Sequence, residues 1–305
     1  MAAGLNQALS TRAVLLTGAS SQIGVFVIPR LVHAGFRVLA LSRKGKPAGY
    51  PDLEQVEWLT DVDETLVKQA RATQNCEYLL SAGPMQLAQR VLTAGKQFRS
   101  AVIFSSSSVI SKHKSADLTE RKQMQGMLDL ESELQSIAMR RALKLVILRP
   151  TMIYGCGLDT NVSRLASWIR RFGFIPINGK ASGLRQPVHA DDLAVAAVAA
   201  LLSKDPLPRS LFLAGGSTLS YMELVCRIFF ALDKPARLLR LPQWLFVLLV
   251  RFLGACKPDL AISSEMVRRQ RVDLVFDDRR ARELLGYRPR PFEPSAKDFT
   301  LPGFE

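Results

Sequence analysis

The sequence predicts an α/β fold, a doubly wound parallel sheet followed by a small, mainly helical C-terminal region. Three observations carry this. In Ala13-Val14-Leu15-Leu16-Thr17-Gly18-Ala19-Ser20-Ser21-Gln22-Ile23-Gly24 an apolar run breaks into small residues, then gives way to Val25-Phe26-Val27-Ile28-Pro29-Arg30-Leu31. That is the pattern of a buried strand, a tight turn and a helix packed closely beneath it. The first half of the chain then alternates short apolar segments with helical patterns. Finally, 305 residues with 48% hydrophobic and 22% charged side chains can bury one large core or two modest ones and do not suit a disordered chain.

In chain order, strand-like segments fall at Ala13–Thr17, Arg37–Leu41, Val56–Leu59, Glu77–Leu80, Ala101–Phe104 and Lys144–Leu148. Helical patterns lie between them near Gln22–Ala34, Glu64–Ala72, Pro84–Ala94 and Thr119–Ala142. Beyond Tyr154 the pattern loosens, with helices expected at Asn161–Phe172, Asp191–Leu202, Tyr221–Leu232 and Arg279–Leu285. No repeat, low-complexity tract or polar linker separates an independent unit. The division expected is a nucleotide-binding domain over 1–155, to which 184–214 return, and a cap built from 156–183 and 215–305.

Composition excludes several classes. Cys76, Cys156, Cys226 and Cys256 show no paired spacing, and His33, His113 and His189 are scattered. They read as reduced thiols in a cytoplasmic protein, with neither a disulfide framework nor a metal site. Met1 to Thr11 lacks the pattern of a signal peptide. The apolar run Trp244–Val250, extended by Phe252-Leu253, is too short to span a bilayer. It reads as a buried helix of the cap or as a helix lying in a membrane interface, the second making the protein peripherally membrane-associated. The net charge of +14 gathers at Arg170-Arg171, Arg268-Arg269-Arg271 and Arg279-Arg280-Arg282. These clusters lack interleaved aromatics, so sequence-specific nucleic-acid binding is not expected; solvated helix faces are the default reading.

The turn from Gly18 to Gly24 aims backbone N–H groups and a helix N-terminus at a pyrophosphate, which predicts dinucleotide binding. Further segments fall in order along the chain: Ser105-Ser106-Ser107-Ser108-Val109 after an apolar strand, then Leu148-Arg149-Pro150-Thr151-Met152-Ile153-Tyr154-Gly155, then Gln186-Pro187-Val188-His189-Ala190-Asp191-Asp192-Leu193-Ala194, and Leu285-Gly286-Tyr287-Arg288-Pro289. Together they resemble the TGxxGxxG, SSxxVYG, LRPxxxYG, FVHVDDVA and LGWxP blocks of the extended short-chain dehydrogenases/reductases, the NAD-dependent epimerase/dehydratase-like group. The resemblance covers nearly the whole chain and implies a Rossmann domain with a substrate-binding cap. Two departures stand out. Ser21-Gln22 replaces the middle glycine of the fingerprint, and a Cβ there narrows the approach of a pyrophosphate. The family's catalytic YxxxK pair is missing: no tyrosine lies between Tyr78 and Tyr154, and counting back from Leu148-Arg149-Pro150 places the two positions near Gln125 and Asp129.

What remains for chemistry is Ser106, with Ser107 as the alternative, to orient a substrate oxygen or to pack its loop. A replacement acid in Ser111-Lys112-His113-Lys114 is weighed against a solvated loop. The second strand ends Leu41-Ser42-Arg43-Lys44 with no carboxylate for a ribose 2′-hydroxyl. Ser42, Arg43 and Lys44 instead suit a 2′-phosphate, which favours NADP over NAD. Resemblance assigns Gly18, Ser20, Ser21, Gln22, Ile23 and Gly24 to the phosphates, Asp61 and Val62 to the adenine, and Ser81, Ala82 and Gly83 to the middle of the cofactor. Ser105, Pro150, Thr151 and Ile153 fall to its nicotinamide side. On the substrate side Asn161, Arg164, Arg185, Gln186 and His189 stand where relatives gather nucleotide-sugar phosphates, with Arg185 as the bidentate phosphate ligand, and Tyr154 where relatives shape the substrate pocket. Asp191 and Asp192 read as helix-start acids complementing the dipole. Two functions stay open: an oxidoreductase or epimerase on a nucleotide sugar or similar anion with a non-standard acid, or a non-catalytic NADP-binding sensor or structural subunit. A homodimer, as in many relatives, is compatible with either.

Overall fold

The computed structural model describes residues 12–60, 76–94, 98–113, 115–242, 244–245 and 264–300. The chain runs β1 (Arg12–Thr17), α1 (Gly24–His33), β2 (Phe36–Leu41), β3 (Val56–Leu59), β4 (Cys76–Ser81), α2 (Met85–Thr93) and β5 (Ser100–Phe104). It continues through α3 (Ser108–Ser111), α4 (Leu118–Arg140), β6 (Lys144–Pro150), β7 (Ile153–Tyr154), α5 (Val162–Phe172), β8 (Ile175–Asn178), β9 (Leu184–Arg185) and β10 (Val188–His189). Then come α6 (Ala190–Leu202), β11 (Ser210–Leu213), β12 (Leu219–Ser220), α7 (Tyr221–Ala231), β13 (Leu238–Leu241), α8 (Ser264–Arg269), α9 (Arg279–Leu285) and a 3₁₀ turn, Ala296–Phe299. The helical pattern at Glu64–Ala72, the cofactor candidates Asp61 and Val62, and most of the apolar run after Trp244 lie outside the described residues.

Seven strands form one parallel sheet in the order β11-β6-β5-β4-β1-β2-β3. Their apolar runs are nearly continuous because both faces are covered. One face packs against α1, α6 and α9 through a core that includes Val14, Leu16, Ile28, Leu31, Leu193 and Ala197. The other packs against α2 and α4 through Leu15, Leu79, Ala88, Leu134 and Ile137. Pro29 inside α1 has no N–H to offer the Val25 carbonyl, and the buried Tyr50 hydroxyl donates to that carbonyl at 3.2 Å instead. The strand order reverses between β1 and β4, so their carboxyl ends open a crevice, the position where doubly wound sheets bind ligands.

A third core, with Val162, Ala166, Ile169, Ile177, Val225, Ile228 and Phe292, belongs to the cap. Alongside its helices the cap carries two short pairs, β8 with β13 and β9 with β12, and β7–β10 joins it to the sheet. These pairs and β11 were not expected; the two-residue strands among them are too short to show alternation. The returning segment binds both layers. Arg290 reaches Asp192 (2.8 Å) and Asp191 (2.7 Å), and Asp191 also pairs with Arg30 of α1 at 2.5 Å. Two of the basic clusters are partly neutralised within the chain, Arg269 by Glu120 and Arg279 and Arg282 by Asp277 and Asp278.

Candidate functional site

The crevice is built by close backbone approach. Gly18 has φ +69°, and a Cβ there would stand 2.4 Å from the Gly83 nitrogen; one on Gly24 would stand 2.3 Å from the Gly18 oxygen. Only glycine permits the turn and the seating of α1 against it. The ends of β1 and β4 are tied by Thr17 Oγ1 donating to Ser81 Oγ (2.8 Å) and by the Ala82 N–H donating to the Thr17 carbonyl (2.9 Å). Ser21 does more than narrow the approach. Its N–H donates to the Gly18 carbonyl, and its Oγ accepts the Gly24 N–H at 3.1 Å. One donor at the start of α1 is thereby used inside the turn. At the end of β2, Ser20 and Ser42 hydroxyls meet at 2.6 Å, and Arg43 and Lys44 are exposed beside them.

The cradle fits a dinucleotide: small backbone at Gly18, Gly24 and Gly83, and a buried Gln22 Oε1 with no hydrogen-bond partner. Gln22 also borders a cavity of about 740 Å³ between the sheet and the cap. Ser106, Lys112, Thr151 and Ile153 line it from the sheet side, and Asn161, Arg164, Trp168, Arg185 and Gln186 from the cap side. Trp168 Nε1 is a second buried polar atom without a partner on this wall. The Gln22 and Trp168 side chains both line this space, while their unpaired atoms are themselves shut off from solvent.

The serine loop is held from two directions. The Ser105 N–H donates to the Leu148 carbonyl (2.8 Å), and the Ser107 N–H to the Pro150 carbonyl (3.0 Å). Ser105 Oγ donates to Glu131 of α4 at 2.5 Å, and Glu131 pairs with Arg149 of β6. Ser106 Oγ accepts the Ser108 N–H at 3.1 Å, and Ser106 still borders the cavity. Lys112 Nζ lies 3.0 Å from Glu120, which also pairs with Arg269. Burial would raise the Glu120 carboxyl, but hydrogen bonds from Ser115, Arg269 and Lys112 hold it at about 2. His113 is exposed, with Nδ1 at 2.5 Å from the Ile110 carbonyl, and it is not part of the cavity lining.

Several expected roles are corrected. Tyr154 is 2% exposed and packs edge-on to His189 and Phe292 in the cap core, outside the cavity lining. Burial pushes its phenol well above the usual range. His189 is buried too. Its Nδ1 accepts the Asp191 N–H (3.1 Å), capping α6, and its Nε2 lies 3.2 Å from Asp298. Both side chains brace the junction of β7, β10 and the 3₁₀ turn. Arg185 borders the cavity, but its guanidinium already donates to the carbonyls of Leu184 and Val272 (2.7 Å each) and of Arg269. Desolvation lowers it to about 10. Gln186 accepts the Phe276 N–H at 2.8 Å and donates to Thr218 at 3.3 Å. Gln125 and Asp129 bond to each other at 2.8 Å on the exposed face of α4. The face of α4 turned to the serine loop carries Glu131 and, one turn earlier, Met127. Trp168, Glu120 and Gln270 also border the cavity and were missed, and Arg269 comes to it from a basic cluster whose default reading was a solvated helix face. Gln270 and Arg269 arrive from a distant segment.

Residues 14–212 match the NAD dependent epimerase/dehydratase family. A UDP-glucose 4-epimerase from Vibrio cholerae is 26% identical over 161 residues, 53% of this chain and 47% of that protein. An uncharacterized protein from Sinorhizobium fredii is 28% identical over 211 residues, 62% of this chain and 53% of that one. These matches span about half the length of the curated relatives. Among solved structures, a UDP-glucuronic acid 4-epimerase from Bacillus cereus in complex with UDP-glucuronic acid and NAD superposes with TM-score 0.69 at 17% identity, covering 92% of this chain and 95% of that one. The fold is shared along nearly the full length of both.

Proposed function

This chain belongs to the NAD dependent epimerase/dehydratase family, and from that premise we propose that it binds NADP(H) and acts on a nucleotide sugar or a similar anionic substrate, as an oxidoreductase or epimerase that does without a tyrosine–lysine pair. The observation that carries this reading is the cavity that joins the glycine turn to the cap, walled by Gln22, Ser106 and Lys112 on one side and by Asn161, Arg164 and Trp168 on the other. Its similarity to a UDP-glucose 4-epimerase and a UDP-glucuronic acid 4-epimerase supports the substrate class.

In this reading residues 1–155 with 184–214 hold the cofactor and 156–183 with 215–305 the substrate, with Arg185 and Gln186 at the start of the returning segment reaching the substrate from the cap side. Gly18, Gly24 and Gly83 admit the pyrophosphate, and Ser20, Ser42, Arg43 and Lys44 receive the 2′-phosphate, where a guanidinium and an ammonium replace the usual carboxylate. The bound nicotinamide supplies hydride acceptance and return. Ser106 orients the substrate oxygen. Lys112, held by Glu120 and bordering the same cavity, supplies the proton that a tyrosine would supply elsewhere. Arg164 and Arg185 give the cap wall its positive field for an anionic substrate. The absence of any tyrosine from α4 favours a second reading, a non-catalytic NADP-binding sensor or structural subunit.

Titration with NADPH and NADH, followed by nicotinamide fluorescence, tests the cofactor. NADPH is expected to bind more tightly, and Arg43→Ala to weaken NADPH alone by roughly tenfold, the loss of one charge-assisted contact. Equal affinities, or an indifferent variant, would overturn the 2′-phosphate assignment. Turnover of UDP-sugars by the wild type, Ser106→Ala and Lys112→Met separates the two readings. Cofactor binding without turnover in the wild type selects the sensor, and turnover unchanged in either variant removes that residue from the mechanism.

A further inference from the structure

The outer edge of the cap carries aromatic side chains that the core does not use. Phe230, at the end of α7, is 87% exposed, and Trp244, just past β13, is 70% exposed. Phe172, Phe174 and Leu239 are exposed as well. Contacts on this edge bring the segments together. Lys234 Nζ donates to the Arg170 carbonyl (3.2 Å), the Ile175 N–H donates to the Arg237 carbonyl (3.0 Å), and β13 pairs in register with β8. Single exposed apolar residues are ordinary, whereas a cluster of this kind marks an interaction surface.

The charge around it is mostly positive. Arg170, Arg171, Arg237 and Arg240 are exposed on the same edge, and the only acid between Phe229 and Leu245 is Asp233. Arg171 lies over the Phe172 ring at 5.2 Å. Aromatics ringed by arginines match a bilayer interface, where rings settle at the headgroup boundary and guanidinium groups meet lipid phosphates. A second copy docked face to face would set these arginines against their own counterparts, so the charge disfavours a symmetric dimer here. The sequence after Trp244 stays apolar to Leu253, apart from Arg251. Among the described residues no helix is long and apolar enough to cross a membrane.

We propose that this edge of the cap, centred on Phe230, Trp244, Arg237 and Arg240, docks on the surface of a bilayer that contains anionic lipid. β8 pairs with β13, and its Ile175 and Pro176 line the cavity. The docked face therefore lies one strand away from the candidate site.

Co-sedimentation of the full chain with phosphatidylcholine vesicles, with and without phosphatidylglycerol, tests this at low and high salt. Binding is expected to the anionic vesicles only, weakening as salt rises. A basic side chain near an anionic surface contributes about fivefold in affinity, so Arg237→Gln with Arg240→Gln should weaken binding by roughly 25-fold. Phe230→Ser should weaken it too while leaving the melting temperature in place. No binding at low salt overturns the proposal, as does binding unchanged in both variants. A loss of dimer in either variant by analytical ultracentrifugation assigns the face to a second copy. A large drop in melting temperature for Phe230→Ser with vesicle binding intact assigns it to the chain's own residues. Either result also overturns the proposal.

Discussion

Replacing Glu131 with glutamine separates charge from shape at the centre of the serine loop. The carboxylate accepts from Ser105 Oγ and Arg149 Nε and pairs with a second guanidinium nitrogen, and the two side chains are only 6% and 15% exposed. Glutamine keeps an acceptor for Ser105 but turns an NH₂ group toward Arg149 and leaves the guanidinium without its counter-charge. Stranding one partner of a buried ion pair costs about 3–5 kcal/mol. Arg149 keeps a little solvent and the Phe212 ring at 5.7 Å, which places the expected loss at the low end, about 3 kcal/mol. That corresponds to a fall in melting temperature of roughly 5 °C for a chain of this length. Urea unfolding followed by far-ultraviolet circular dichroism measures it. Glu131→Leu combined with Arg149→Met should recover most of the loss, since an apolar pair leaves no buried charge unpaired. A cost below about 1 kcal/mol for the glutamine variant, or additive costs in the double variant, would show that the pair is solvated and does not hold the loop.

Three further outcomes are expected. Ser21→Gly returns the Gly24 N–H to the crevice and removes a Cβ, so dinucleotide affinity measured by fluorescence should rise by about two- to fivefold; an unchanged or weaker affinity would remove the inward role of the hydroxyl. Glu120 is held at about 2, below its ordinary 4.5, so its contribution to stability is full above pH 4.5 and is lost as pH falls toward 2. Glu120→Gln should therefore flatten the urea-midpoint profile over that window, and an unaltered slope would refute the pairing with Lys112 and Arg269. Tyr287→Phe removes a buried hydroxyl that donates to the Ala214 carbonyl at 2.8 Å and should cost about 1–3 kcal/mol by urea unfolding, because the carbonyl loses its partner.

The central sheet was legible because parallel strands covered on both faces are written as unbroken apolar runs, Val14–Leu16 and Val102–Phe104 among them. The glycine turn was legible because close backbone approach admits few side chains. Side-chain direction was not. Tyr154 and His189 stand on strands of two residues, too short for alternation to say which way they point, and both turned to the core. The α4 register was also hidden. Counting back from Arg149 crosses a tight reversal at Ala142, whose φ is +51°, and such a turn does not disclose its length in advance. Spacing marked Gln125 and Asp129, whereas contact marks Glu131 and the turn before it. Gln270 reaches the cavity wall by bonding Asn178, 92 residues away, and no local pattern announces that.

The Arg290 clamp has a bearing on how the protein is made. Its guanidinium lies 98 residues beyond the Asp192 carboxylate it holds. At ordinary translation rates that interval lasts on the order of 5–20 s. Until then the two acids at the head of α6 have Arg30 alone as a cation, and Tyr287 and Phe292 have yet to reach the sheet and the cap core. The sheet can be assembled on the ribosome while its neighbour waits. A chain cut short before Arg290 would carry every strand of the sheet but neither the clamp nor Phe292 of the cap core.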